Sequence, residues 1–178
     1  MKYILIVLLN ITCLISHSQE IVTNELKASE MYPKMKEWVA LNFKSANSVI
    51  QVDIPNEKLV IKGIKKDILY SKFNNKSIPT DWSFDIVITL DFKDNKYRYN
   101  VETITSEEIW EMNDDEANRY VDSVVKNTPG GGLIGKKTKD DMKFNIISIN
   151  QQKKEKLKLE KDKIIESIKK TMAKKDEW

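Results

Sequence analysis

The stretch 128–139, TPGGGLIGKKTK, comes within one residue of a phosphate-binding loop. Such a loop reads G-x-x-x-x-G-K-[ST]: glycines let backbone N–H groups cradle phosphates, the lysine reaches the terminal phosphates, and the hydroxyl binds Mg²⁺. Gly130, Gly135 and Lys136 fit, but Lys137 takes the hydroxyl position and Thr138 comes one place late. A working loop also sits between a buried strand and a helix, so that the helix dipole helps hold the phosphates. Here Ala117, Tyr120, Val121, Val124 and Val125 precede it, an apolar stripe at helical spacing. The segment 128–141 therefore reads as a flexible glycine-rich connector past a helix end and a proline.

A second constellation is acidic: Glu107, Glu108, Glu111, Asp114, Asp115 and Glu116. Calcium would need the D-x-[DN]-x-[DN]-G spacing of a ligand loop, which is missing. Thr105 and Glu108 have the spacing of a capping box, and acids suit a first helical turn because the dipole favours them there. The run reads as the solvated start of a helix over 105–126. No catalytic, cofactor-binding or metal-ligating residue is assigned anywhere in the chain.

The only cysteine, Cys13, and the only histidine, His17, lie in the opening MKYILIVLLNITCLISHSQE. Lys2, the apolar run from Tyr3 to Ile15 and the small residues Ser16 and Ser18 form a secretory signal over 1–18. The run is too short for a stable membrane span, which takes about 20 residues. Asn10-Ile11-Thr12 before Cys13 suits a lipoprotein signal poorly. The expectation is export to the periplasm or outside, leaving one domain over 19–178. That domain would lack His and Cys, which excludes disulfides, thiol nucleophiles, Ser-His-Asp triads and His/Cys zinc sites. Losing Lys2 from the 30 basic residues leaves 29 against 27 acids, a net of +2. That balance calls for no nucleic acid or other polyanion, and no further transmembrane segment is present.

The elements that must position any site follow from periodicity. Met35, Trp38, Val39 and Phe43 recur at helical spacing and predict an amphipathic helix over 32–46, with Pro33 in its first turn. SVIQVDIPNEKLVIKGI (48–64) alternates with period two and predicts a hairpin turning at Asn56-Glu57. Ile54 then faces Leu59, Val52 faces Ile61 and Ile50 faces Gly63, with Gln51, Asp53 and Lys62 on the other side. SFDIVITLDFKDNKYRYNVET (83–103) predicts a second hairpin at Asp94-Asn95. Its apolar face pairs Phe92–Tyr97, Leu90–Tyr99, Ile88–Val101 and Ile86–Thr103; its wet face pairs Asp91–Arg98 and Thr89–Asn100. Asn74, Asn75, Pro79 and Asp81 mark 65–82 as a loop, with Trp82 unplaced. MKFNIISIN (142–150) fits a strand or a helix start. From Lys153 to Trp178, ten lysines and six acids surround Leu157, Ile164, Ile165, Ile168 and Met172, predicting a C-terminal amphipathic helix packed on the sheet.

The fold class is α+β: a curved antiparallel sheet of about four or five strands, with two hairpins, backed by helices. EWVALNFKSANSVIQ (37–51), LVIKG (59–63), ITLDFKDNKYRYN (88–100) and IIESIKKTMAKKDEW (164–178) carry a resemblance. The chain resembles an uncharacterised family of exported proteins from Bacteroidota-type bacteria, a domain of unknown function with a TBP-like fold. The resemblance implies a curved antiparallel sheet backed by helices; the family has no established active site, so no functional residue is carried over.

Three functional classes remain. A non-catalytic binding module of the cell envelope would use the exposed face (Gln51, Lys62, Asp91, Arg98, Asn100) or an edge strand to hold an envelope protein or a glycan. A carboxylate-dependent hydrolase would need two acids about 5–10 Å apart across a cleft. A membrane-surface or assembly protein would act through the C-terminal helix.

Overall fold

The 83–103 segment folds as its alternation requires. In the computed structural model, which describes residues 20–73, 76–105, 109 and 112–173, strand β4 (Lys76–Lys93) pairs antiparallel with β5 (Lys96–Ile104). The register is the expected one, with Phe92 opposite Tyr97, Leu90 opposite Tyr99, Ile88 opposite Val101 and Asp91 opposite Arg98. Asn95 turns the chain at φ 65°, a left-handed conformation that asparagine tolerates better than most residues. Three further strands complete an antiparallel sheet: β1 (Glu20–Thr23), β2 (Ile50–Ile54) and β3 (Lys58–Phe73). The order across the sheet is β1-β5-β4-β3-β2.

The loop expected over 65–82 is strand instead. β3 and β4 pair without interruption from Lys58–Asp91 out to Phe73–Lys76. Asn74 and Asn75, expected to mark the loop, lie outside the described residues. Trp82 now has a place: it is buried opposite Asp67, with its ring 4.9 Å from that of Phe84. Pro79 is tolerated in a strand for a geometric reason. Its partner Tyr70 turns its N–H and C=O away from β4, so Pro79 faces its missing N–H away from β3. β5 ends at Ile104 opposite Asp85, so on that side Pro79 lies past the ladder.

The first hairpin forms with a different register. Ile54 pairs with Lys58, Asp53 with Leu59 and Val52 with Val60, and a bulge between Ile50 and Val52 restores Ile50 to Ile61. Asn56 at φ 62° makes the connection three residues long. A slip of one residue turns every side chain over. Val52 and Ile54 therefore face outward, and Asp53 faces the helices.

Helices cover one side of the sheet. α1 is Ala28–Asn42, four residues earlier than expected, followed by the short α2 (Ala46–Val49). Pro33 thus falls in the second turn, inside the helix, and not in the first. α3 is Asp114–Asn127, with Asn113 as N-cap. Asn113 Oδ1 accepts from the N–H groups of Asp115 and Glu116, while Glu116 Oε2 accepts from Asn113 N–H. This capping box replaces the one expected from Thr105 and Glu108; Thr105 is not helical, and Glu107, Glu108 and Glu111 lie outside the described residues.

α4 runs from Lys136 to Ala173, about 57 Å at 1.5 Å per residue, and absorbs 142–150 as helix. Its Ile164, Ile168 and Met172 join Met31, Met35, Trp38 and Val39 of α1 over the inner face of the sheet. That face supplies Leu59, Ile61, Ile88, Leu90, Tyr99 and Val101. Burying each large side chain contributes roughly 1.5–3 kcal/mol before entropy is subtracted.

The glycine-rich segment is shorter and tighter than a connector over 128–141. A 3-10 turn spans Gly131–Leu133, and helix begins again at Lys136. Gly131 is buried so closely that a Cβ there would stand 1.8 Å from the Val125 carbonyl oxygen. Helix α3, not a strand, precedes it, so the phosphate-loop context is absent.

Candidate functional site

Among the described residues, the helices leave the other side of the sheet uncovered. One row crosses all five strands there: Ile54, Lys58, Asp91, Arg98 and Ile21. At its centre Arg98 donates from Nε and Nη2 to Asp91 Oδ2 at 3.0 and 2.8 Å, while Lys58 Nζ stands 3.8 Å from Oδ1. The next rows hold Val52, Val60, Thr89 and Asn100, then Lys62, Val87 and Glu102, then Ile64, Asp85 and Ile104. Lys62 Nζ pairs with Asp85 at 3.0 Å, and Asn100 Nδ2 donates to Glu102 at 2.6 Å.

Of the residues expected on this face, Lys62, Asp91, Arg98 and Asn100 are brought together there. Gln51 sits exposed at the β2 bulge, off the main rows. The alternation did not reveal how apolar the face is. Ile21 and Ile64 are 65% and 72% exposed, and Val52, Ile54, Ile68 and Ile104 are also open. Asp91 and Asp85 are ion-paired to Arg98 and Lys62, while Lys93 stands opposite Lys96 at the hairpin end, so the face presents branched apolar side chains among both paired and like charges. Exposed apolar side chains gathered on one face of this kind can serve as interaction sites, although Ile21 and Ile54 stand at opposite edges and Asp85 separates Ile64 from Ile104.

Two tyrosine–carboxylate–lysine clusters pin the outermost strands from the helical side. Asp53 of β2 accepts from the Tyr32 hydroxyl and, at 2.7 Å, from Lys36 Nζ, both on α1. Glu20 of β1 accepts from the Tyr99 hydroxyl and, at 2.8 Å, from Lys169 Nζ of α4. Each ammonium also lies 5.6 Å from the ring centroid of its tyrosine. These residues are distant in sequence, and Asp53 reaches its partners only through the register slip, so no motif announced either cluster.

Their electrostatics decide what they can do. Hydrogen bonds from Lys36 and Tyr32 hold the Asp53 carboxyl below its ordinary value, and those from Lys169 and Tyr99 do the same to Glu20. The Tyr32 hydroxyl is pushed up by its bond to Asp53; burial and then Glu20 push up Tyr99. At neutral pH both carboxylates are ionised and both phenols protonated. A general acid or base needs a pKa near the working pH, so these clusters are clamps. Asp67 is also lowered, the hydrogen bond from Lys156 and the Ile68 N–H outweighing partial burial. A glycosidase-type acid needs a carboxyl shifted the other way.

Among the described residues no group of three or more His, Cys, Asp or Glu is placed to hold a metal, and no helix is long and apolar enough to cross a membrane.

The profile of a family described as a domain of unknown function (DUF4468) with TBP-like fold matches residues 17–107. Among solved structures, the chain is similar to a DUF4468 family protein from Bacteroides ovatus ATCC 8483, determined at 1.49 Å resolution, at 9% identity and a TM-score of 0.43. That similarity covers 90% of this chain and 87% of the other. Comparison with curated proteins gives no match.

Proposed function

The chain belongs to the DUF4468 family of TBP-like fold, and we propose that it is an exported, non-catalytic binding module of the cell envelope that docks a partner protein on the open face of its sheet. The observation that carries this reading is the set of exposed isoleucines at 21, 54, 64 and 104, set among charges that already pair with one another. A protein surface would gain hydrophobic burial there without having to break the ion pairs. Export rests on the signal-like residues 1–18, which point to a periplasmic or secreted location. The non-catalytic character rests on the absence of His and Cys from 19–178 and on the downward shifts of Glu20, Asp53 and Asp67.

The carboxylate hydrolase has less support, because the shifted carboxyls move away from the acid role. The membrane-surface helix also has less, because Ile164, Ile168 and Met172, the apolar stripe it would use, lie in the core.

Cross-linking capture from an envelope fraction tests the docking face. Ile64→Glu with Ile104→Glu abolishes capture of the partner, while Leu159→Glu on exposed α4 surface leaves it intact. Equal capture by all three proteins refutes the proposed face. Capture of a glycan rather than a protein refutes the partner class.

A further inference from the structure

The tip of the β4–β5 hairpin carries a charge imbalance on the open face of the sheet. Lys93 and Lys96 flank the Asp94-Asn95 turn and stand directly opposite one another. Their side chains share a face with Asp91 and Arg98, one row further in, where Lys58 joins from β3. Like charges placed directly opposite destabilise a sheet, so nothing in the sheet itself favours this pair.

The acids nearby do not relieve it. Asp91 is taken on both oxygens, by Arg98 on Oδ2 at 2.8 and 3.0 Å and by Lys58 on Oδ1 at 3.8 Å. Asp94, inside the turn, turns instead to α1 and accepts from the Ala28 N–H. The side chains of Lys93 and Lys96 form no ion pair or hydrogen bond among the described residues. Even with Glu57 of the β2–β3 turn counted, four cations (Lys58, Lys93, Lys96, Arg98) meet two acids. A hollow of about 300 Å³ lies against this cluster, with Asp91, Lys93, Lys96 and Arg98 in its lining. Ile21, largely exposed, gives it an apolar wall.

We propose that this hollow receives a glutamate or aspartate side chain of the partner protein, its carboxylate settling between the Lys93 and Lys96 ammoniums and the residue beside it packing on Ile21. The inference rests on the docking reading of the open face and adds the charge of what docks there. A carboxylate between two ammoniums replaces a repulsion with two attractions. A phosphate group is matched best by a two-pronged guanidinium, and Arg98 already uses Nε and Nη2 on Asp91. What stays open is a pair of point charges next to an isoleucine. That suits an acidic, partly apolar stretch of polypeptide rather than a phosphate- or sulfate-rich polymer.

Three acetylated and amidated hexapeptides test this, alternating isoleucine with glutamate, glutamine or lysine. Each is titrated into the full chain and followed by amide chemical shifts in ¹H–¹⁵N spectra. The expected result is saturable shifts at Ile21, Lys93, Lys96 and Arg98 with the glutamate peptide, about tenfold weaker with glutamine and absent with lysine. Lys93→Gln with Lys96→Gln brings the glutamate peptide down to the level of the glutamine one. Because that variant removes a like-charge pair, it folds at least as stably as the wild type. Raising salt from about 0.05 to about 0.5 M weakens only the glutamate peptide. Binding unchanged in the double variant, or no saturable shifts at these residues, would overturn the assignment. So would inorganic phosphate saturating the same amides at lower concentration than the glutamate peptide. Glutamate and glutamine peptides binding alike refutes the carboxylate alone, whereas partner capture that survives Ile64→Glu with Ile104→Glu refutes the docking face itself.

Discussion

Gln152 and Tyr70 exchange two hydrogen bonds, the Tyr70 N–H donating to Gln152 Oε1 and Gln152 Nε2 donating to the Tyr70 carbonyl, each at 2.9 Å. Two turns earlier on α4, Asn145 does the same for Lys72, at 2.6 and 2.8 Å. β2 pairs with β3 only as far as Ile61, so the outer half of β3 would otherwise be a bare edge. Side-chain amides stand in for the missing strand, and an edge so covered is a poor template for aggregation. Asn145→Ala and Gln152→Ala should each cost about 0.5–1.5 kcal/mol. Hydrogen exchange should accelerate at the Tyr70 and Lys72 amides first, and the double variant should associate at high concentration. Unaltered exchange at those amides would show that the capping bonds do not hold the edge.

Three glycines should respond to alanine for three different reasons, read by urea unfolding. Gly131→Ala places a Cβ 1.8 Å from a backbone oxygen that cannot rotate away, and about 3 kcal/mol or more is expected. Gly63→Ala meets the Phe43 ring at 2.5 Å; a side chain can swing, so about 1–2 kcal/mol is expected. Gly130→Ala meets nothing but must hold φ 76°, costing about 1 kcal/mol. A different ranking would show that the turn after α3 relaxes more freely than its packing implies.

What was legible in the sequence was the part governed by strict alternation. The β4–β5 hairpin is apolar on one face and wet on the other, and Asp94-Asn95 fixes its turn, so both register and outer-face residues could be read. The β2–β3 register could not, because both a three-residue turn at Asn56 and the bulge beside Gln51 shift it without disturbing the alternation. The outer arm of β3–β4 looked like loop because its inward positions include Lys65 and Asp67, which bind Glu160 and Lys156 of α4 instead of entering the core. Those salt bridges join residues some ninety positions apart, beyond the reach of any local pattern. The same holds for the Glu20–Tyr99–Lys169 clamp, assembled from both ends of the chain, while the Asp53 clamp needs the register slip that local pattern does not show.

The clamps predict a stability profile with two flanks. Glu20 and Asp53 have lowered pKa values in the folded state, so their contribution is present above the unfolded values near 4 and is lost as pH falls through the folded ones. Tyr32, Tyr99, Lys36 and Lys169 are raised, so theirs is present below the unfolded values near 10 and is lost as pH rises through the folded ones. Melting temperature should therefore fall on both sides of a neutral plateau. Glu20→Gln with Asp53→Asn should lower the plateau and flatten the acid flank. An acid flank as steep in that double variant as in the wild type would assign acid sensitivity to other carboxylates.

The tip of the β4–β5 hairpin holds the start of α1. Asp94 Oδ1 accepts from the Ala28 N–H at 2.9 Å across 66 residues of chain, while Asn95 N–H donates to the Leu26 carbonyl and Asn24 N–H donates to the Asn95 carbonyl. The first N–H groups of a helix have no partner within it, and a carboxylate there meets both an orphan donor and the positive end of the dipole. Asp94→Ala should cost about 1 kcal/mol and Asp94→Asn less, since the amide keeps the acceptor and loses only the charge. Asn95→Ala should cost a similar amount for a separate reason, the φ of 65°, which Asn95→Gly would satisfy without loss. Double-mutant cycles pairing Asp94→Ala with Asn95→Gly separate the two effects. Additivity is expected, because one term is a cap and the other is backbone conformation; strong coupling would mean that the turn geometry exists only while the helix is docked on it.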